Sequence, residues 1–73
     1  MKKINLKNVV WKEEKYYIPQ CLNIDVSSFG RTRKGALYNL DEALDFYFDD
    51  NKMNYELVKV ERPEIVTSSF TNV

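Results

Sequence analysis

The stretch YYIPQCLNIDVSSFGRTRKGALYNLDEALDFYFDD, residues 16–50, decides the fold. Its second half repeats apolar residues at three- and four-residue steps. Ala36, Leu37, Leu40, Ala43, Leu44, Tyr47 and Phe48 fall, at about 100° per residue, into one stripe about 140° wide. Tyr38, Asp41, Glu42, Asp45 and Asp49 fall opposite. One helix cannot bury such a stripe alone, so it must lie on a sheet made by the residues before it. Gly30 ends that sheet segment, and Thr32 is placed to cap the helix with its hydroxyl. Asn51 can close the helix by a left-handed turn.

Working outward, residues 16–21 read as a strand. Pro19 within it has no amide hydrogen, which predicts an edge position or a bulge. Residues 24–29 read as a second strand, with Ile24, Val26 and Ser28 on one face and Asp25, Ser27 and Phe29 on the other. Upstream, residues 3–11 are strand-like. Ile4 and Leu6 alternate with Asn5 and Lys7, and then Val9, Val10 and Trp11 follow in a row. Either a bulge sits near Asn8 or both faces are partly covered. The charged run Lys12-Glu13-Glu14-Lys15 lacks an Asn-Gly or Asp-Gly pair, which predicts a longer loop rather than a tight turn. Past the helix, residues 52–54 connect to a valine-rich stretch, 55–61. Pro63 interrupts it before 65–70 resumes, as one bent strand or two short ones, and residues 71–73 fray. The expected class is α+β: an antiparallel three-stranded meander, one amphipathic helix packed on it and a C-terminal strand, in the order βββαβ.

Seventy-three residues make one domain, 1–73. A chain this short buries only roughly 60% of the surface its unfolded form exposes. Cys21 is the lone cysteine and histidine is absent, so neither a disulfide nor structural zinc can reinforce the core. Self-association or docking on a partner remains, and a homodimer is expected from the small core and the open sheet edges. Eleven basic and eleven acidic side chains cancel, which weighs against a dedicated nucleic-acid binder. The N-terminal residues have no signal-peptide hydrophobic region, and no apolar run approaches the roughly 20 residues of a membrane span. A soluble, cytoplasmic protein is the expectation.

Catalysis has little to stand on. Without histidine the usual general base near neutral pH is missing, and Cys21 has no imidazole to activate it. Cys21 reads instead as a packing residue of its strand. Only Gly30 and Gly35 are present, so no glycine loop cradles phosphate. Asp25, Asp41, Glu42, Asp45, Asp49 and Asp50 are acidic enough for a metal site. Yet Asp45 and Asp49 stand one turn apart on an outer helix face, where solvated carboxylates are ordinary. No enzymatic activity, cofactor or metal is expected.

The helix charges run against its macrodipole. Asp45, Asp49 and Asp50 crowd its negative end, and Arg33 and Lys34 its positive end. Screened surface charge accounts for this at little cost. Alternatively, the acidic face meets a basic partner, with Tyr38 as an aromatic anchor one turn from Glu42. The candidate partner-binding residues are therefore Tyr38, Glu42, Asp45 and Asp49. Asn39, at the flank of the stripe, reads as a structural residue bonding a loop backbone group across the helix–sheet junction.

Cys21, Leu22 and Asp25, then Gly30 and Thr32, then Ala36, Asn39, Leu40, Glu42, Ala43, Leu44 and Tyr47 form an ordered pattern. In it a strand ends in a Cys-Leu-x-x-Asp stretch, Gly-x-Thr follows, and a helix carries Ala-x-x-Asn-Leu-x-Glu-Ala-Leu. This pattern, covering about half the chain, resembles the HicB-like antitoxins of toxin–antitoxin systems. Three features depart from it. Lys34 and Gly35 stand where the family usually carries a glutamate, so the reciprocal capping box is lost. Pro19 replaces a small residue. The chain also ends before the DNA-binding segment of many members, so the resemblance carries neither operator binding nor autorepression over to these residues. The resemblance implies a pared-down RNase H-like or double-stranded-RNA-binding-like fold. It also implies a non-enzymatic role, in which the protein covers the active surface of a small, basic, HicA-like toxin that cleaves mRNA. Two alternatives stay open. One is a free-standing domain without a toxin. The other is a nucleic-acid-binding module whose Lys2, Lys3, Lys7, Lys12, Lys15, Arg31, Arg33 and Lys34 gather on one face.

Overall fold

A computed structural model describes residues 4–51 and 55–71. Its elements are β1 (Asn8–Glu13), β2 (Tyr16–Cys21), β3 (Val26–Ser27) and α1 (Arg33–Asp50). The strands form an antiparallel sheet in the order β1-β2-β3, and α1 packs on β2 and β3. The α+β class and the helix-on-meander architecture are as expected. The expected beginning of the first strand at Lys3, the connector 52–54 and the frayed residues 72–73 lie outside the described residues.

The first hairpin is more regular than its sequence suggests. β1 pairs with β2 in unbroken register from Asn8↔Cys21 to Glu13↔Tyr16, without a bulge. Val9 and Val10 are both half-buried on opposite faces, so partial cover of the two faces explains the broken alternation. Residues 4–7 precede the strand because Asn23 intervenes. The Lys7 amide donates to Asn23 Oδ1 at 2.7 Å rather than to the β2 backbone. The expected long loop is a two-residue turn, Glu14-Lys15. Glu14 supplies the positive φ, 53°, that a glycine or asparagine would usually provide, at a cost of about 1–2 kcal/mol.

Pro19 is not at an edge. It lies buried in the central strand, opposite Val10. Its position is tolerated because the missing amide points away from β1. The Pro19 carbonyl accepts from the Ser28 amide at 3.0 Å, so nitrogen and carbonyl both face the third strand. There the ladder loses one bond and β3 is cut to two residues. The same register resumes at Tyr17 and Gly30, which exchange bonds of 2.7 and 3.0 Å.

The helix matches its reading closely. Thr32 caps it, its Oγ1 accepting from the Gly35 amide at 2.9 Å. Ala36, Leu40 and Leu44 are buried, and Leu37, Ala43, Tyr47 and Phe48 half-buried. Leu40 and Leu44 join Cys21 and Ile24 in the core, with Leu6, Val26, Tyr47 and Phe48 around them. Asn51 closes the helix differently from expectation. Its φ is −121°, and both its amide and its Nδ2 donate to the Tyr47 carbonyl, at 3.0 and 2.8 Å.

Residues 55–71 form no strand. Tyr55 stacks edge-on against Phe48, with centroids 5.0 Å apart. Val58 joins the body through Asn23: its amide donates to the Asn23 carbonyl at 3.0 Å, and its carbonyl accepts from Asn23 Nδ2 at 2.7 Å. Pro63 breaks the stretch, and Arg62 before it adopts φ 49°, a left-handed position costing about 1–2 kcal/mol.

Candidate protein-binding surface

α1 turns one face to the sheet and the opposite face to solvent. On the outer face Tyr38, Glu42, Asp45 and Asp49 follow at steps of four, three and four residues, so they form one stripe. All four are exposed, as the sequence predicts. Phe46, four residues after Glu42, joins them at 75% exposure, while Tyr38 is 63% exposed. Phe46 and the carboxylates of Asp45 and Asp49 line one shallow depression of about 330 Å³. Among the described residues no cation stands within ion-pairing distance of these carboxylates; the ion pair found there is Lys59–Glu61, at 3.5 Å on the surface. Two exposed aromatic rings interleaved with exposed carboxylates suit a cationic protein surface.

Sequence reasoning missed Phe46. The signal was present, since the four-residue step from Glu42 to Phe46 lies well away from Leu40 and Leu44. Asn39 behaves as read: its Nδ2 donates to the Phe29 carbonyl at 2.8 Å and ties the helix to the strand side. Asn23, which falls between the two expected strands 16–21 and 24–29, is a buried clamp joining three segments: the residues just before β1, the β2–β3 turn and the tail at Val58.

The cations are distributed unevenly. Strand register places Lys12 beside Tyr17, and Tyr17 beside Gly30, so Lys12, Lys15, Arg31, Arg33 and Lys34 gather around the end of the molecule where α1 begins. Lys12 Nζ sits 5.9 Å above the Tyr17 ring. Glu13 and Glu14 lie in the same hairpin end and dilute the patch. Lys7 lies at the opposite end of β1, and Lys2 and Lys3 are outside the described residues.

The sheet face away from α1 is open. Alternation puts Val9, Trp11, Tyr16, Ile18 and Phe29 there. Tyr16 and Phe29 meet edge to face at 5.9 Å, and Trp11 Nε1 donates to Glu13 Oε2 at 2.7 Å. A separate cleft of about 450 Å³ lies where the tail crosses Asn5 and Lys7. Cys21, in the core, reaches no surface. Among the described residues no three histidine, cysteine, aspartate or glutamate side chains gather closely enough to hold a metal ion. None of the described helices is long and apolar enough to cross a membrane.

Fold and surface together define a small α+β protein with an acidic, aromatic helix face at one end and a cationic cluster at the other. Comparison with family models, characterised proteins and solved structures finds no significant match to this chain.

Proposed function

We propose that the chain is a non-enzymatic, antitoxin-like inhibitor that covers a small basic toxin of the HicA-like, mRNA-cleaving kind. The observation that carries this reading is the stripe Tyr38, Glu42, Asp45, Phe46 and Asp49, where aromatic rings and carboxylates share one exposed helix face. An RNA-cleaving protein presents cations to phosphate, and a row of carboxylates held on a rigid helix competes for those cations. Aromatic rings beside them supply the apolar contact that charge alone lacks. The order of elements from Tyr16 to Tyr47 supports the same reading through its resemblance to HicB-like antitoxins.

The test is the protein encoded beside this one, expected to be small, basic and histidine-containing. It should co-purify with the tagged chain, and the double variant Asp45→Lys, Asp49→Lys should weaken binding by about tenfold or more. The same variant complements the helix macrodipole, so the domain should remain folded. Unchanged affinity in a calorimetric titration would remove this surface from the mechanism.

The cationic cluster around the start of α1 favours a second reading, a small nucleic-acid-binding module. Retention on heparin with a steep salt dependence, lost on replacing Arg31, Arg33 and Lys34, would support it over toxin binding.

A further inference from the structure

The tail beyond Arg62 is strand-forming in composition yet joins no sheet. Ile65, Val66 and Thr67 are β-branched, Phe70 is aromatic, and neither glycine nor proline follows Pro63. In the single copy Ile65, Val66 and Phe70 are 94%, 75% and 90% exposed. The root of this tail is held firmly. Val58 is bonded to Asn23 on both its amide and its carbonyl, and residues 59–62 border Asn5 and Lys7, just before β1. The change of direction comes at Arg62, in its left-handed conformation, and at Pro63. A strained turn thus sends an apolar segment away from the sheet of its own copy, where the segment gains no burial to offset the strain.

That sheet has one edge suited to receive a strand. The Leu22 amide donates to the Lys7 carbonyl, which fixes the phase of the β1–β2 ladder. Lys7, Val9, Trp11 and Glu13 therefore face β2, whereas Asn8, Val10 and Lys12 turn their amides and carbonyls outward. Among the described residues no strand lies beyond β1. The other edge, β3, is two residues long and interrupted opposite Pro19.

We propose that residues 64–70 of one copy add as an edge strand to β1 of a second copy, and reciprocally, in a two-fold symmetric exchange dimer. Seven residues at about 3.3 Å each reach roughly 23 Å, enough to cover the whole of β1. Alternation then places Val66 and Phe70 on one face of the added strand and Ile65 and Thr67 on the other. One pair joins Val9 and Trp11 on the open sheet face, and the other lies beside Val10. The symmetry doubles every contact. This matters because a stable interface covers about 800 Å² per partner, whereas one phenylalanine contributes about 150–250 Å². The proposal is independent of toxin binding, since the acidic stripe lies on the exposed face of α1, opposite the face that packs on β2 and β3.

Sedimentation of the full chain at micromolar concentration should give twice the 8.7 kDa chain mass. Ile65→Asp with Phe70→Asp should halve it with an unchanged circular dichroism spectrum, because neither side chain is buried in the single copy. A monomeric parent, or a dimer that survives this double variant, overturns the proposal. A mixture of isotope-labelled and unlabelled chains tests the pairing itself. Contacts from the Phe70 ring of an unlabelled copy to the Val9 or Val10 methyls of a labelled one support exchange. Such contacts confined to one copy, or absent, overturn it.

Discussion

Gly30 is a glycine for lack of room. A Cβ there would stand 2.7 Å from the Ala36 nitrogen and 2.8 Å from its Cα, both backbone atoms of the first helical turn. Gly30→Ala should therefore destabilise by about 1–3 kcal/mol through overpacking, lowering Tm by about 4–8 °C per kcal/mol. Gly35→Ala is the comparison. It meets only Thr32 Oγ1, at 3.0 Å, so a helix-propensity gain of about 1 kcal/mol is offset by a weakened cap worth about as much. Calorimetry should find it near neutral. Asn23 is the other residue with a defined structural role. Asn23→Asp keeps an acceptor for the Lys7 amide but sets a carboxylate oxygen against the Val58 carbonyl. Stability should fall by about 1–3 kcal/mol, and hydrogen exchange should show Val58 released while Lys7 stays protected. Thr32 and Asn39 were legible in sequence because capping and local side-chain bonds act over ten residues or fewer. Asn23 was not, because its partner Val58 lies 35 residues away and no pattern marks it.

At the scale of elements, α1 was the easiest to read, since its buried stripe repeats over eighteen residues. The strands were harder. β3 was expected over six residues, 24–29, and forms over two, because Pro19 withholds the donor Ser28 would face. Ile24, outside the strand, is nevertheless buried in the core. The first hairpin misled for the opposite reason: Glu14 accepts a left-handed backbone because the β1–β2 ladder holds both its ends. Glu14→Gly should relieve that strain and lose part of the gain to a freer unfolded chain. The net stabilisation should be about 0.5–1 kcal/mol, visible as a higher denaturant midpoint with an unchanged slope. The C-terminal stretch has the composition of a strand, but a strand also needs a neighbour, and the single copy leaves residues 64–70 without one.

At the scale of the whole molecule, zero net charge hides two poles. Arg33 and Lys34 stand at the positive end of the helix dipole and Asp49 and Asp50 at its negative end, so each pole opposes the helix that carries it. Raising ionic strength from about 0.01 M to 0.15 M shortens the Debye length from about 30 to 8 Å. Over that range thermal stability should rise, while affinity for a cationic partner should fall. A parallel decline of both would show that the helix charges do not oppose the dipole in solution. The proline in the central strand has a consequence for how this protein can aggregate. An antiparallel sheet open on both flanks can recruit copies endlessly and grow a fibril. Pro19 withholds a donor from β3 and leaves it two residues long, so the far flank is a poor template and recruitment is confined to the β1 side.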